Sequence, residues 1–212
     1  FERVKALLKQ MPEAPTMQQL AEGGVAGSSA PDKPVEVRIE RPSARLVEYV
    51  SANRTYRIRY PQNWRAAGQQ DSVTFAPDGG VVQHGGQNQI VYGAIVDRFD
   101  PQNRGSRSGP FRGDNALEQA ANLLVAGILQ SNPYLQADSR FSRTTRLSGR
   151  QAVKTILVGL SPVTGQAERV EFWAVGLSGG DLLYCLFIAP EKDYSELGST
   201  YDNMIDTLEI AR

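Results

Sequence analysis

Between Thr55 and Pro77 the chain alternates. Tyr56, Ile58 and Tyr60 are separated by Arg57 and Arg59. That period of two predicts a strand with one face on a core and a basic face in water. Pro61 has no N–H to give to a ladder and ends the strand. Trp64 follows just past the strand end, placed to cap the core. Gly68 opens a polar turn, and Val73 and Phe75 restart the alternation as a partner strand that stops at Pro77.

Further along, Ile90 to Phe99 is apolar on both faces and predicts a central strand covered on both sides. Asp114 is suited to cap a helix, with Glu118 in its first turn. Leu117, Ala121, Leu124 and Ile128 form its apolar stripe, widened by Ala120 and Leu123, and Asn132-Pro133 stops it. Arg140 to Leu147 and Ala152 to Leu160 are strand candidates. Arg169 to Leu177 and Leu182 to Ala189 flank Ser178-Gly-Gly-Asp181, a hairpin. In its second strand Leu183, Cys185 and Phe187 point one way, and Leu182, Tyr184, Leu186 and Ile188 the other. Tyr194, Leu197, Tyr201, Met204, Ile205 and Leu208 recur at helical spacing and predict a closing helix. Antiparallel hairpins with few helices give an α+β fold. The expectation is one central antiparallel sheet sandwiched between helices.

The N-terminal stretch reads differently. Phe1, Val4, Leu7, Leu8 and Met11 repeat at helical spacing up to Pro12. Phe1 opens in the middle of that pattern, so residues 1–12 are expected to be the tail of a preceding domain. Residues 13–45, with Gly23-Gly24, Gly27-Ser-Ser29 and Pro15, Pro31 and Pro34, read as a flexible linker. Val35, Val37 and Ile39 alternate within it as a short edge strand. The compact domain is expected over residues 46–212.

Composition narrows the function classes. Lys and Arg number 23 and Asp and Glu 23 among 212 residues. This balance gives no long-range field for nucleic acid or anionic membrane. No apolar run approaches the roughly 20 residues of a membrane span. The single histidine, His84, and single cysteine, Cys185, cannot build an ordinary zinc site. Cys185 sits inside an apolar strand and reads as a buried, inert thiol. Gly176-Leu-Ser-Gly-Gly180 matches the nucleophile elbow Gly-x-Ser-x-Gly, which would make Ser178 the nucleophile of a hydrolase. The elbow needs a helix after the serine, and here a strand follows. No phosphate-binding glycine loop is present.

Two loops carry what exposed chemistry remains. Asp78 to Gln89 holds paired glycines and His84. Asn103 to Gly113 holds Arg104, Arg107 and Arg112. These four side chains are the candidate partner-binding set, since loops change without unfolding a scaffold. A solvated loop kept soluble by charge is the plainer reading of the same arginines.

The run Tyr56-Arg-Ile-Arg-Tyr-Pro-Gln-Asn-Trp64 followed by Val73-Thr-Phe-Ala-Pro-Asp-Gly-Gly80 resembles the opening of the PsbP-like fold, which Ran-binding Mog proteins share. It is similar in particular to a domain appended C-terminally to bacterial HtpX/BepA-like zinc metallopeptidases. Tyr92-Gly93, Gln130-Ser-Asn-Pro133, Gly149-Arg-Gln-Ala152 and Phe187-Ile-Ala-Pro-Glu191 continue the likeness, which spans Leu46 to Ile210. The resemblance implies an α/β/α sandwich and a non-catalytic accessory domain that binds a protein partner or substrate. It implies a periplasmic or extracellular setting, and zinc in the parent peptidase domain with no cofactor in this one. It also leaves open a small-ligand or cation-binding role of the PsbP kind.

Overall fold

A computed structural model describes residues 33–69, 71–101 and 115–211. In chain order the elements are β1 (Leu46–Val50), β2 (Tyr56–Pro61), β3 (Trp64–Gln69), β4 (Ser72–Pro77), β5 (Val81–His84), β6 (Gln87–Ile90), β7 (Gly93–Phe99), α1 (Ala116–Ser131), β8 (Leu135–Leu147), β9 (Arg150–Leu160), β10 (Ala167–Gly176), β11 (Leu182–Pro190), a 3-10 turn (Glu191–Asp193), α2 (Tyr194–Asp206) and β12 (Glu209–Ile210). A seven-stranded sheet runs β3-β4-β7-β11-β10-β9-β8, antiparallel throughout. A second sheet runs β1-β2-β12, and β5-β6 is a separate hairpin.

The large sheet is covered on both faces because β11 has no polar face to offer water; all its residues are buried. Leu182, Tyr184, Leu186 and Ile188 join Phe172, Leu157 and Val153 beneath α1, whose Ala121 and Leu124 face them. Leu183, Cys185, Phe187 and Ala189 enter the opposite core with Phe75, Val96, Tyr201 and Met204. The two-way partition expected from alternation along this strand is present residue for residue.

The second face departs from a purely helical cover. α2 shares it with the three-stranded sheet, so one side is helical and the other mixed, and the molecule is richer in strand than a helix-sheet-helix sandwich. The cause lies in β2. Its Tyr56 and Ile58 are buried and Arg57 and Arg59 exposed, as alternation requires, but its partners are β1 and β12, not β4. Between Pro61 and Trp64 the chain leaves one sheet and enters the other through Gln62 and Asn63. The β2 face then stacks on β4, with the Tyr60 and Phe75 rings 4.7 Å apart.

Three local expectations also change. Trp64 opens β3 instead of following a strand end, though it is buried and packs edge-on against Tyr201. Gly68 continues β3; a Cβ there would meet the Ser72 carbonyl oxygen at 2.1 Å, so glycine serves a close approach to β4. The apolar run from Ile90 is broken: Ile90 pairs with Val81 in the β5-β6 hairpin. Val91 and Tyr92 both donate their N–H to the Gly80 carbonyl before β7 starts at Gly93.

α1 matches its predicted stripe, but Asn115 holds the N-cap position without a side-chain bond, and Asp114 lies outside the described residues. β8 starts at Leu135, ahead of the expected Arg140. Val37 and Ile39 pack against the α2-side core, and the Val35 N–H donates to the Val163 carbonyl.

Candidate functional site

The sequence-predicted site residues are not brought together. His84 ends β5 opposite Gln87, across Gly85-Gly86, both with positive φ. It is half-buried, and its backbone pairs with Gln87 in the hairpin. Arg104, Arg107 and Arg112 lie outside the described residues. Ser178 is exposed in the β10-β11 turn, where the Leu177 N–H donates to the Asp181 carbonyl. β11 follows directly, so the strand–turn–helix of a nucleophile elbow is not formed. Cys185 is fully buried, and burial pushes its thiol up to about 12. Among the described residues no group of three or more His, Cys, Asp or Glu side chains is arranged to hold a metal ion.

A groove of about 490 Å³ runs between the segment Arg41–Leu46 and the outer face of α2. α2 buries Leu197, Tyr201, Met204 and Ile205, which leaves Ser195, Glu196, Ser199, Thr200 and Asn203 to line the groove. The opposing wall is fixed by Asn63. Its amide oxygen accepts the Ser43 N–H at 2.8 Å and its amide nitrogen donates to the Arg41 carbonyl at 2.9 Å. The Gln62 N–H adds a bond to the Arg45 carbonyl. One ion pair, Arg41 to Glu196 at 3.3 Å, crosses the groove between exposed side chains; such a pair adds little and opens readily. The site is therefore a preformed polar trough whose hydroxyl and amide groups can each donate or accept. Its helical wall was legible as the polar side of the α2 pattern. Its other wall was not, because it depends on a side chain reaching back over twenty residues.

Two buried polar clusters have different character. On β10, Arg169, Glu171 and Trp173 share a face. Glu171 is 5% exposed. Its carboxylate accepts from the Trp173 indole N–H at 2.8 Å and the Tyr194 hydroxyl at 3.4 Å, and meets Lys154 at 2.5 Å. Arg169 stacks over the Tyr194 ring at 4.3 Å. Nearby, the Tyr92 hydroxyl donates to Asp193 at 2.5 Å. These contacts tie β9, β10 and the start of α2 together, while the Arg169 Nε is buried without a hydrogen-bond partner among the described residues. At the other end, Asp71 accepts from Asn53 and Thr55. Asp97 accepts the Arg98 N–H at 2.7 Å and the Tyr184 hydroxyl at 3.3 Å. Burial holds the Asp97 carboxyl above its ordinary range against those bonds.

No family model matches the chain, and no curated protein matches it. Solved structures do. The solution structure of cyanobacterial PsbP (CyanoP) from Synechocystis sp. PCC 6803 matches at 12% identity, over 79% of this chain and 94% of that one, with a TM-score of 0.51. The crystal structure of the Saccharomyces cerevisiae Ran-binding protein Mog1p matches at 10% identity, over 79% and 96%, with a TM-score of 0.51. A crystal structure from Bacteroides thetaiotaomicron VPI-5482 matches at 14% identity and a TM-score of 0.46, and this chain spans 48% of its length. The first two establish the fold: a mostly antiparallel sheet with two helices, of the PsbP and Mog1p kind.

Proposed function

We propose that this chain is a non-catalytic protein-binding domain and that its partner engages the trough between α2 and Arg41–Leu46. The trough carries the reading. It is preformed and polar, and it lies on the surface between α2 and the segment that Asn63 holds in place. Mog1p, which shares this fold, is named as a Ran-binding protein, which supports the same class of role here. We further propose that the domain belongs to a secreted or periplasmic zinc metallopeptidase of the HtpX/BepA kind, appended after its catalytic domain. The support is the motif series from Tyr56-Arg-Ile-Arg-Tyr-Pro-Gln-Asn-Trp64 to Phe187-Ile-Ala-Pro-Glu191. In that assembly zinc sits in the preceding domain, and this domain positions the protease or its protein substrate.

The coding sequence upstream of Phe1 tests the parent: a His-Glu-x-x-His segment is expected there, and its absence would remove the peptidase assignment. Calorimetry of this chain against the separately purified peptidase domain tests the trough. Ser199→Arg is expected to weaken that binding by about tenfold or more. Undiminished binding would place the partner elsewhere.

A further inference from the structure

The seven-stranded sheet has two edges, and they are built differently. At β8 the ladder to β9 slips between Asp138 and Arg143, and Arg140, Arg143 and Arg146 lie along the strand. A bulge and a row of cations are devices that keep an edge from pairing with another strand. β3 carries neither. Every residue from Arg65 to Gln69 is exposed. The middle is Ala66-Ala67-Gly68, and the one charge, Arg65, is paired with Asp78 at 2.8 Å.

Register gives the direction of the β3 backbone groups. Trp64 pairs with Pro77, which has no N–H, so this pair cannot exchange both bonds of a hydrogen-bonded pair. Alternation then makes Arg65, Ala67 and Gln69 the residues that bond β4. The N–H and C=O of Ala66 and Gly68 turn outward, and neither residue makes an outward backbone bond to another described residue. On the face shared with Phe75 and Val73, a strand laid beside β3 beyond the buried Trp64 would meet only Ala66 and Gly68. That leaves room for bulky side chains at its alternate positions.

We infer that β3 is a docking edge at which an extended peptide of a partner protein adds as an eighth strand, with bulky apolar side chains at every second position. The inference rests on the protein-binding reading and extends it. β3 begins beside Asn63, which holds the wall of the α2 trough, so a peptide leaving the Trp64 end continues toward that trough. A second copy of the chain is the poorer occupant. Two six-residue edges centred on Ala-Ala-Gly bury far less than the roughly 1,200 Å² of a standard interface, whereas a peptide combines ladder bonds with the trough.

The test is a phage-displayed random octapeptide library panned against the immobilised full chain. Enriched peptides are then measured against the parent, Ala66→Pro and Ser199→Arg chains, and amide exchange of the parent is followed by NMR. The expected peptides alternate apolar residues and lose about tenfold or more against Ala66→Pro. Their binding slows exchange at Ala66 and Gly68 and leaves Ala67 unchanged. That parity needs only the unmodified chain, so it decides the matter even where Ala66→Pro misfolds. Failure to enrich any peptide overturns the inference. Peptides weakened by Ser199→Arg alone, without protection of Ala66 and Gly68, overturn strand addition while leaving the protein-binding reading intact. A dimer in sedimentation that Ala66→Pro dissolves overturns it in favour of self-pairing.

Discussion

Lys154 faces Trp173 directly across the β9-β10 ladder, with its ammonium 4.5 Å from the ring centroid and 2.5 Å from the Glu171 carboxylate. The lysine is thus both a cover for the aromatic and the counter-charge of a buried acid. Removing it leaves Glu171 with two neutral donors and a guanidinium at 3.9 Å. Lys154→Met is expected to destabilise the domain by about 3 kcal/mol, the usual result of breaking a buried pair from one side. Adding Glu171→Gln should recover much of that loss. Urea unfolding of the single and double variants measures both; equal stability of parent and Lys154→Met would show the pair to be idle.

Trp64 is 4% exposed and packs edge-on against Tyr201, 6.1 Å between centroids. Trp64→Ala is expected to cost roughly 3–5 kcal/mol in chemical denaturation, as for other large buried aromatics. A loss under about 1 kcal/mol would place the indole outside the core.

Burial, opposed by the hydrogen bond that the Tyr134 hydroxyl donates at 2.9 Å, raises the Glu168 carboxyl in the folded chain. A raised acid means the folded state holds its proton more tightly than the unfolded state. The associated stability is present below the unfolded value near 4.5 and is lost as pH rises through the folded value. Glu168→Gln keeps an acceptor for Tyr134 and removes the titration. Its stability relative to the parent is expected to improve as pH rises above about 4.5 and to level off once the folded carboxyl has ionised. A pH-independent difference between the two urea curves would contradict this.

Cys185 is enclosed in the core on the α2 side of β11, and burial pushes its thiol up to about 12. At pH 8 an aromatic disulfide reagent should label it at least about a hundredfold more slowly in the native chain than in guanidinium. Rapid native labelling would mean that β11 opens locally.

The strands and helices were legible where one periodicity dominated. The opposed faces of Leu182 to Ala189, the α1 stripe from Leu117 to Ile128 and the α2 stripe from Leu197 to Ile205 all lie where alternation or helical spacing put them. Pairing was less legible. Tyr56 to Tyr60 shows that a face is buried but not against what, and its neighbours β1 and β12 come from opposite ends of the described chain. β12 is two residues long, too short to carry a period. The trough shows the same limit. Ser195, Ser199 and Asn203 announce a polar helix face, but the wall opposite depends on Asn63, whose role appears only once Arg41 and Ser43 are beside it.

Site-specific photo-crosslinking tests the binding claim most directly. A photoreactive side chain is placed at Ser199 in the trough, or at Phe141 on β8, which is 45% exposed at the opposite edge of the sheet. Each form is irradiated with the peptidase domain proposed as its partner, with and without candidate substrate proteins. The account predicts a discrete adduct from Ser199 that the unlabelled chain competes away, and no such adduct from Phe141. Equal labelling from both positions, or an adduct from Phe141 alone, would contradict the trough as the binding surface.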